Sequence, residues 1–219
     1  MSIQQKSKAR RSPIHYDYSE LKEFLKSIKA NVLCGHSGYY GGQEGKLLHE
    51  LVSEALATST SMPFKVLEIG MNAGHSTLAF LNAALHVTVT SVDIGYYEYT
   101  SQVTLWLAKR YPDRHLLLLG KSQTVLMEPE VGSDGLYDAA FIDGAHSYKA
   151  AGIDLRNVRR LLRPGGLLIM DDVGNPTEIP EMAAWHKGPT KAWYDAVNSG
   201  EVEEMGHDWT MKLAWGRYL

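Results

Sequence analysis

"VLEIGMNAGHST", residues 66–77, decides the fold. It begins as an apolar run, turns through Gly70 and Gly74, and resumes in the helical pattern "HSTLAFLNAAL" at residues 75–85. A short apolar run bounded by glycine reads as a buried strand. The glycines let the chain turn tightly and let a ligand approach the backbone. The free N–H groups of the helix that follows favour a polar or anionic group.

The same rhythm continues downstream. "VTVTSVDI" (87–94) is a β-branched second strand, "YTSQVTLWLAKRY" (99–111) a helix and "HLLLLG" (115–120) a third strand. After a short helix near residues 123–127, "YDAAFID" (137–143) is a fourth strand. "YKAAGIDLRNVRRLL" (148–162) is a helix closed by "RPGG", and "GLLIMDD" (166–172) is a fifth strand. Upstream, residues 19–30 read as a helix with Leu21, Phe24, Leu25 and Ile28 on one face and Asp17 or Ser19 as its cap. The glycine-rich "CGHSGYYGGQEG" (34–45) is a loop, and a second helix buries Leu47, Leu48, Leu51, Val52 and Leu56.

Such alternation predicts an α/β fold: a Rossmann-like, doubly wound, mostly parallel sheet with helices on both faces. The C-terminal part differs. "GPTKAWYDAVNSG" (188–200) is a helix with Pro189 near its start, and "EVEEMG" and "MKLAWGRYL" are strand-like runs joined by "HDWT". A link that short favours an antiparallel hairpin, so the sheet is seven-stranded and finishes with an antiparallel strand. Right-handed crossovers place the strand C-terminal ends on one edge, where ligands bind in such sheets.

The 219 residues, 44% hydrophobic, suit one domain, with boundaries at residues 18–219 behind a flexible basic arm at residues 1–17 that carries Lys6, Lys8, Arg10 and Arg11. A formal net charge of −3 predicts no general attraction to nucleic acid or anionic membranes. No apolar run approaches bilayer length, and the basic start lacks the apolar stretch of a secretory signal, so a cytoplasmic protein is expected. The single cysteine, Cys34, excludes an internal disulfide framework, fits a reducing compartment and reads as an inert thiol.

A dinucleotide-binding loop reads G-x-G-x-x-G, but the place of its second glycine is held here by Asn72. Glu68 would repel a pyrophosphate and pair with an ammonium. Asp93, ending the second strand, can take both hydroxyls of a ribose. An ammonium, a ribose and no phosphate describe S-adenosylmethionine (SAM). The bland alternative is a tight strand-to-helix turn with incidental acids.

"VLEIGMNAGHSTL" resembles the first motif of the catechol and caffeoyl-CoA O-methyltransferases, within the class I SAM-dependent methyltransferases. "LGKSQTVL" resembles the adenine-side segment of that group. The likeness runs from about residue 45 to residue 172. It implies cofactor contacts at Glu68, Gly70, Gly74, Ser76, Asp93, Ser122 and Gln123.

Asp143 ends the fourth strand, and Asp171 and Asp172 end the fifth. Like charges that converge are unfavourable unless a proton or cation shares them. A hard divalent cation with oxygen ligands, Mg²⁺ in type, is the natural partner. The resemblance implies the same: an Asp and then an Asp-Asn pair act as metal ligands in the catechol type, where this chain has Asp171-Asp172. "DGAHSY" (143–148) resembles instead the run found in macrolide-sugar O-methyltransferases, with His146 where the catechol type has a catalytic lysine. His146 is then the general base that takes the acceptor hydroxyl's proton. The bland readings are solvated acids at strand ends and a surface histidine in a polar turn. Asp138 is expected to orient the turn before its strand and Tyr148 to pack against the turn at His146. Trp185 and His186 fall in a candidate substrate-covering segment.

The expected activity is SAM- and divalent-metal-dependent O-methylation of a small molecule bearing a vicinal diol, sugar or catechol hydroxyl. A homodimer is compatible with it, and neither nucleic acid nor membrane is an expected partner. Three alternatives stay open: a metal-independent methyltransferase, a nicotinamide-dependent oxidoreductase, and a non-catalytic interaction subunit with a SAM-binding fold.

Overall fold

The structure, a computed structural model, describes residues 17–32 and 42–219. The basic residues of the N-terminal arm, Cys34 and most of the glycine-rich loop at 34–45 lie outside the described residues.

Seven strands form one sheet in the order β3-β2-β1-β4-β5-β7-β6. They are β1 (Phe64–Ile69), β2 (Val87–Asp93), β3 (His115–Leu119), β4 (Tyr137–Ile142), β5 (Leu162–Met170), β6 (Val202–Asp208) and β7 (Leu213–Tyr218). The first five run parallel to one another; β7 is antiparallel to both β5 and β6. The order reverses at β1, which pairs with β2 on one side and β4 on the other, so a crevice opens above the C-terminal tips of β1 and β4.

Central strands are apolar because both faces are covered. β4 is buried at every position, and β1 at all but its second. Alternate residues feed two cores. Phe64, Val66, Phe141 and Ile169 face the layer of α1 (Ser19–Ser27), α2 (Gln43–Thr58), α3 (His75–Ala83) and α4 (Glu98–Arg110). Leu67, Ile69, Ile142 and Met170 face the layer of α5 (Ser122–Val125), α6 (Tyr148–Leu161) and α7 (Ala184–Asn198).

Several boundaries differ from the sequence reading. α1 stops at Ser27, with Asp17 accepting from the Ser19 N–H at 2.9 Å. β5 begins at Leu162, so "RPGG" lies inside the strand rather than before it; the pairing register with β4 shifts there, between Tyr137 and Ala139. Gly166 is required at that irregularity, since a Cβ would lie 2.9 Å from the Asp138 carbonyl. Asp138 is itself in β4, accepting from the Lys65 N–H at 2.8 Å and pairing with Arg163 at 2.9 Å. It organises the sheet edge opposite the crevice. The β6–β7 connection begins only after Asp208, whose Oδ1 accepts from the Thr210 and Met211 N–H groups.

The largest shift is at α7, which starts at Ala184 and carries Pro189 in its interior instead of near its start. Gly188 explains the placement. A Cβ there would lie 2.1 Å from the His146 carbonyl and 2.6 Å from the Tyr148 nitrogen, so the first turns of α7 rest directly on the backbone of residues 146–148. Tyr148 joins the same contact through a 2.7 Å hydrogen bond to Asp195. Gly188→Ala is therefore expected to cost about 1–3 kcal/mol of stability, because rigid backbone must yield rather than a side chain. Urea titration of the variant against wild type measures this.

Candidate active site

The loop between β1 and α3 is built from positive-φ positions. Gly70 (φ 91°), Asn72 (φ 48°) and Gly74 (φ 77°) turn the chain from strand to helix within five residues. At Gly70 no other residue fits, because a Cβ would lie 1.8 Å from the Asp143 carbonyl oxygen. The Asp143 N–H donates to the Ile69 carbonyl at 2.8 Å, and the Gly70 N–H to the Val92 carbonyl at 2.8 Å. The tips of β1, β2 and β4 are thereby laced together. Gly74 occupies the cap position of α3 and offers no side-chain cap, which leaves the first-turn N–H groups to face the crevice.

Asp93 sits at the tip of β2, half-buried. Its Oδ2 accepts from the Met71 and Asn72 N–H groups at 3.0 and 2.8 Å, and its Oδ1 from Gly95 at 2.7 Å. It clamps the loop, and a carboxylate has lone pairs beyond these three bonds for a ligand's hydroxyls. Tyr99 donates to the Asn72 side chain. Asn72, the residue that breaks the dinucleotide pattern, is thus tied to α4.

Glu68 is fully buried beneath the loop and accepts from the hydroxyls of Ser76, Thr77 and Ser91. Burial raises its pKa, and the three hydroxyls oppose that shift. Its role here is to tie β1 to β2 and to orient Ser76 at the head of α3.

Ser122 and Gln123 open α5 on the other face of the sheet. The Ser122 hydroxyl donates to Asp154 Oδ1 at 2.8 Å, and the Gln123 amide to the same oxygen at 3.1 Å. Asp154 is fully buried in α6, and its pKa is raised by burial. It escaped the sequence reading, although its place on the apolar stripe with Ala151, Leu155 and Val158 was the available signal.

The acids at the tips of β4 and β5 converge. Asp143, His146 and Asp172 each present a ligand atom within 4.8 Å of the others. His146 Nε2 lies 2.9 Å from Asp172 Oδ2. On the other side of the same carboxylate, His186 Nδ1 lies 2.8 Å from Asp172 Oδ1. Asp172 adopts φ 61°, a left-handed turn tolerated by aspartate, which swings it back beneath both imidazoles. His186 comes from the first turn of α7, where Trp185 Nε1 donates to its Nε2 at 3.2 Å. The sequence placed Trp185 and His186 only in a covering segment; the contact of His186 with Asp172 depends on the docking of α7 through Gly188.

Charge follows from this geometry. Burial, then the charges of Asp172, Glu44 and Glu68, pushes Asp143 well above the usual carboxylate range. Burial and the charge of Asp143 do the same to Asp171. Burial works on Asp172 as well, but the two histidines outweigh it and hold its pKa at about 2. The hydrogen bond to Asp172 raises His146 in turn. Asp171 stands outside the compact trio: it bonds to Asp143 and keeps Oδ1 buried without a partner. Clustered oxygen donors, one of them unsatisfied, with an imidazole alongside, fit a hard divalent cation.

Residues 67–173 match the family model described as a methyltransferase domain. A stretch of 137 residues, 59% of this chain, is 28% identical to the tenellin synthetase of Beauveria bassiana, of which it spans 3%. The fold is similar to that of an O-methyltransferase from Bacillus cereus solved in complex with SAH (TM-score 0.70, 20% identity, covering 94% of this chain and 93% of that one). It is also similar to that of a putative caffeoyl-CoA O-methyltransferase from Staphylococcus aureus (TM-score 0.67, 18% identity, covering 96% and 94%). No helix among the described residues is long and apolar enough to cross a membrane. Residues 67–173 thus match a methyltransferase domain, and the seven-stranded sheet that carries them has a fold similar to that of these O-methyltransferases.

Proposed function

We propose that the protein O-methylates a small molecule at a hydroxyl of the vicinal-diol, sugar or catechol type, using SAM and a divalent cation of the Mg²⁺ kind. The observation that carries this reading is the trio of Asp143, His146 and Asp172 at the strand tips beside the glycine loop. Bound SAM supplies an electrophilic methyl group, and a bound divalent cation supplies charge that lowers the pKa of a neighbouring hydroxyl.

The chain's own residues do the rest. The loop from Gly70 to Gly74 and the head of α3 cradle the cofactor, with Ser76 oriented from below by Glu68. Asp93 offers its remaining lone pairs to ribose hydroxyls, and Ser122 with Gln123, braced by Asp154, borders the adenine. Asp143 and Asp172, with Asp171 beside them, would hold the cation. His146 takes the hydroxyl proton at Nδ1, while its Nε2–H donates to Asp172, which fixes the imidazole and stabilises its protonated form. The closeness of these groups to the glycine loop makes catalysis largely a matter of positioning and charge.

A second arrangement is favoured by one distance. His146 Nε2 at 2.9 Å from Asp172 Oδ2 is also the geometry of a base with its orienting carboxylate, which needs no cation. Excess EDTA separates the two. With a cation in the mechanism, turnover of a panel of vicinal diols ceases and returns with added Mg²⁺, while S-adenosylhomocysteine (SAH) affinity by calorimetry stays unchanged. Full turnover in EDTA assigns the chemistry to the His–Asp pair alone.

His146→Ala is expected to lower kcat by about 10²–10⁴-fold at neutral pH, with SAH affinity retained. A rate near wild type returns His146 to the role of a turn residue.

A further inference from the structure

Glu44 is assigned no role by the sequence motifs, yet it is one of the most buried charged side chains in the protein. It lies in the first turn of α2, 2% exposed, and its Oε2 has no hydrogen-bond partner among the described residues. Its backbone position is well defined. Gly42 caps α2 at φ 81°, and a Cβ there would lie 2.5 Å from the Tyr18 ring, so the start of α2 is pressed against the segment leading into α1. α2 also packs against β5. Asp143, Asp171 and Asp172 all feel the Glu44 charge or impose theirs on it, and burial with the charge of Asp172 raises its pKa to about 8. An unsatisfied carboxylate held in an acidic crevice calls for a cationic partner.

The acids assigned above to the cation, Asp143, Asp171 and Asp172, all stand at the tips of β4 and β5, and Glu44 stands apart from them on α2. The course of the cofactor offers it another cation. With its ribose at Asp93 on β2 and its adenine by Ser122 and Gln123 after β3, both anchors lie on one side of β1. The amino-acid arm must then run across the β1 tip towards β4 and β5. Glu68, the acid first paired with an ammonium on sequence grounds, is sealed beneath the loop by three hydroxyls. Among the described residues two buried acids outside the metal cluster keep an unsatisfied oxygen, Asp154 and Glu44; Asp154 is tied to Ser122 and Gln123 on the adenine side, which leaves Glu44 for the amino-acid arm.

We propose that Glu44 receives the α-ammonium of the cofactor's amino-acid arm, placing one wall of the cofactor site on α2. The proposal rests on the SAM reading above and adds a residue to it. Removing the carboxylate while keeping its shape should then weaken any ligand that carries the ammonium and spare one that lacks only that group.

Calorimetry with SAH and its desamino analogue, on wild type and Glu44→Gln, tests this. SAH is expected to bind Glu44→Gln roughly 10- to 100-fold more weakly than wild type, the range of a lost charge-assisted hydrogen bond. The desamino analogue should bind both proteins alike. The melting temperature should hold or rise, because the substitution removes a charge from an acidic cluster. Glu44→Met, of similar volume, provides the same comparison should the amide variant fold poorly. Equal SAH affinity in wild type and variant overturns the proposal. So does an equal loss for both ligands, which would make Glu44 a support of the whole crevice. Failure of wild type to bind either ligand sinks the SAM reading itself and the Glu44 assignment with it.

Discussion

The contact between the tips of β1 and β4 is the constraint on which the site depends. Gly70 leaves no room for a side chain because the Asp143 carbonyl occupies that space, and the Asp143 N–H bonds back to Ile69. One side of this contact is the loop that would cradle a cofactor; the other begins the run that carries Asp143 and His146. The spacing between the glycine loop and the acid cluster is therefore set by backbone packing at a single glycine. Side-chain freedom has little part in it. The first turns of α7 repeat the device at Gly188, where a second close approach to backbone brings His186 to Asp172.

Around that frame the charges are arranged unequally. Asp172 is flanked by two imidazoles and stays ionised, whereas Asp143 and Asp171 lie close together with raised pKa values and share a hydrogen bond. A buried acid pair beside an ionised acid is costly in an empty site and is relieved by a cation. Glu44 adds to the same imbalance from a different helix. The crevice stores an attraction for positive charge, which suits a sulfonium cofactor, an ammonium and a metal ion more than any anionic group. The same field disfavours a pyrophosphate, in keeping with the missing glycine at Asn72.

The parallel strands, their order of appearance and the C-terminal hairpin were legible because buried strands write continuous apolar runs and a short link admits only a hairpin. Gly70, Asp93, Asp143 and Asp172 could be placed at one edge of the sheet in advance, because parallel strands joined by crossovers put their C-terminal ends together. Boundaries were less legible. Pro189 suggests a helix start, but α7 begins at Ala184 because packing of Gly188 on residues 146–148 outweighs the local signal. "RPGG" suggests a break, yet it is a register irregularity inside β5.

By itself the sequence determined the class of sheet, the glycine loop and the acids at the strand tips, since each follows from local pattern and connection length. Only the tertiary structure decided what those acids face. Glu68 turns inward to three hydroxyls, Asp172 is shared by His146 and His186, Asp154 braces Ser122 and Gln123, and Glu44 is buried at the start of α2 with an unsatisfied oxygen. The physical reason is that a carboxylate's role depends on neighbours far away in the chain, and burial and charge are properties of the packed assembly rather than of any short stretch of residues.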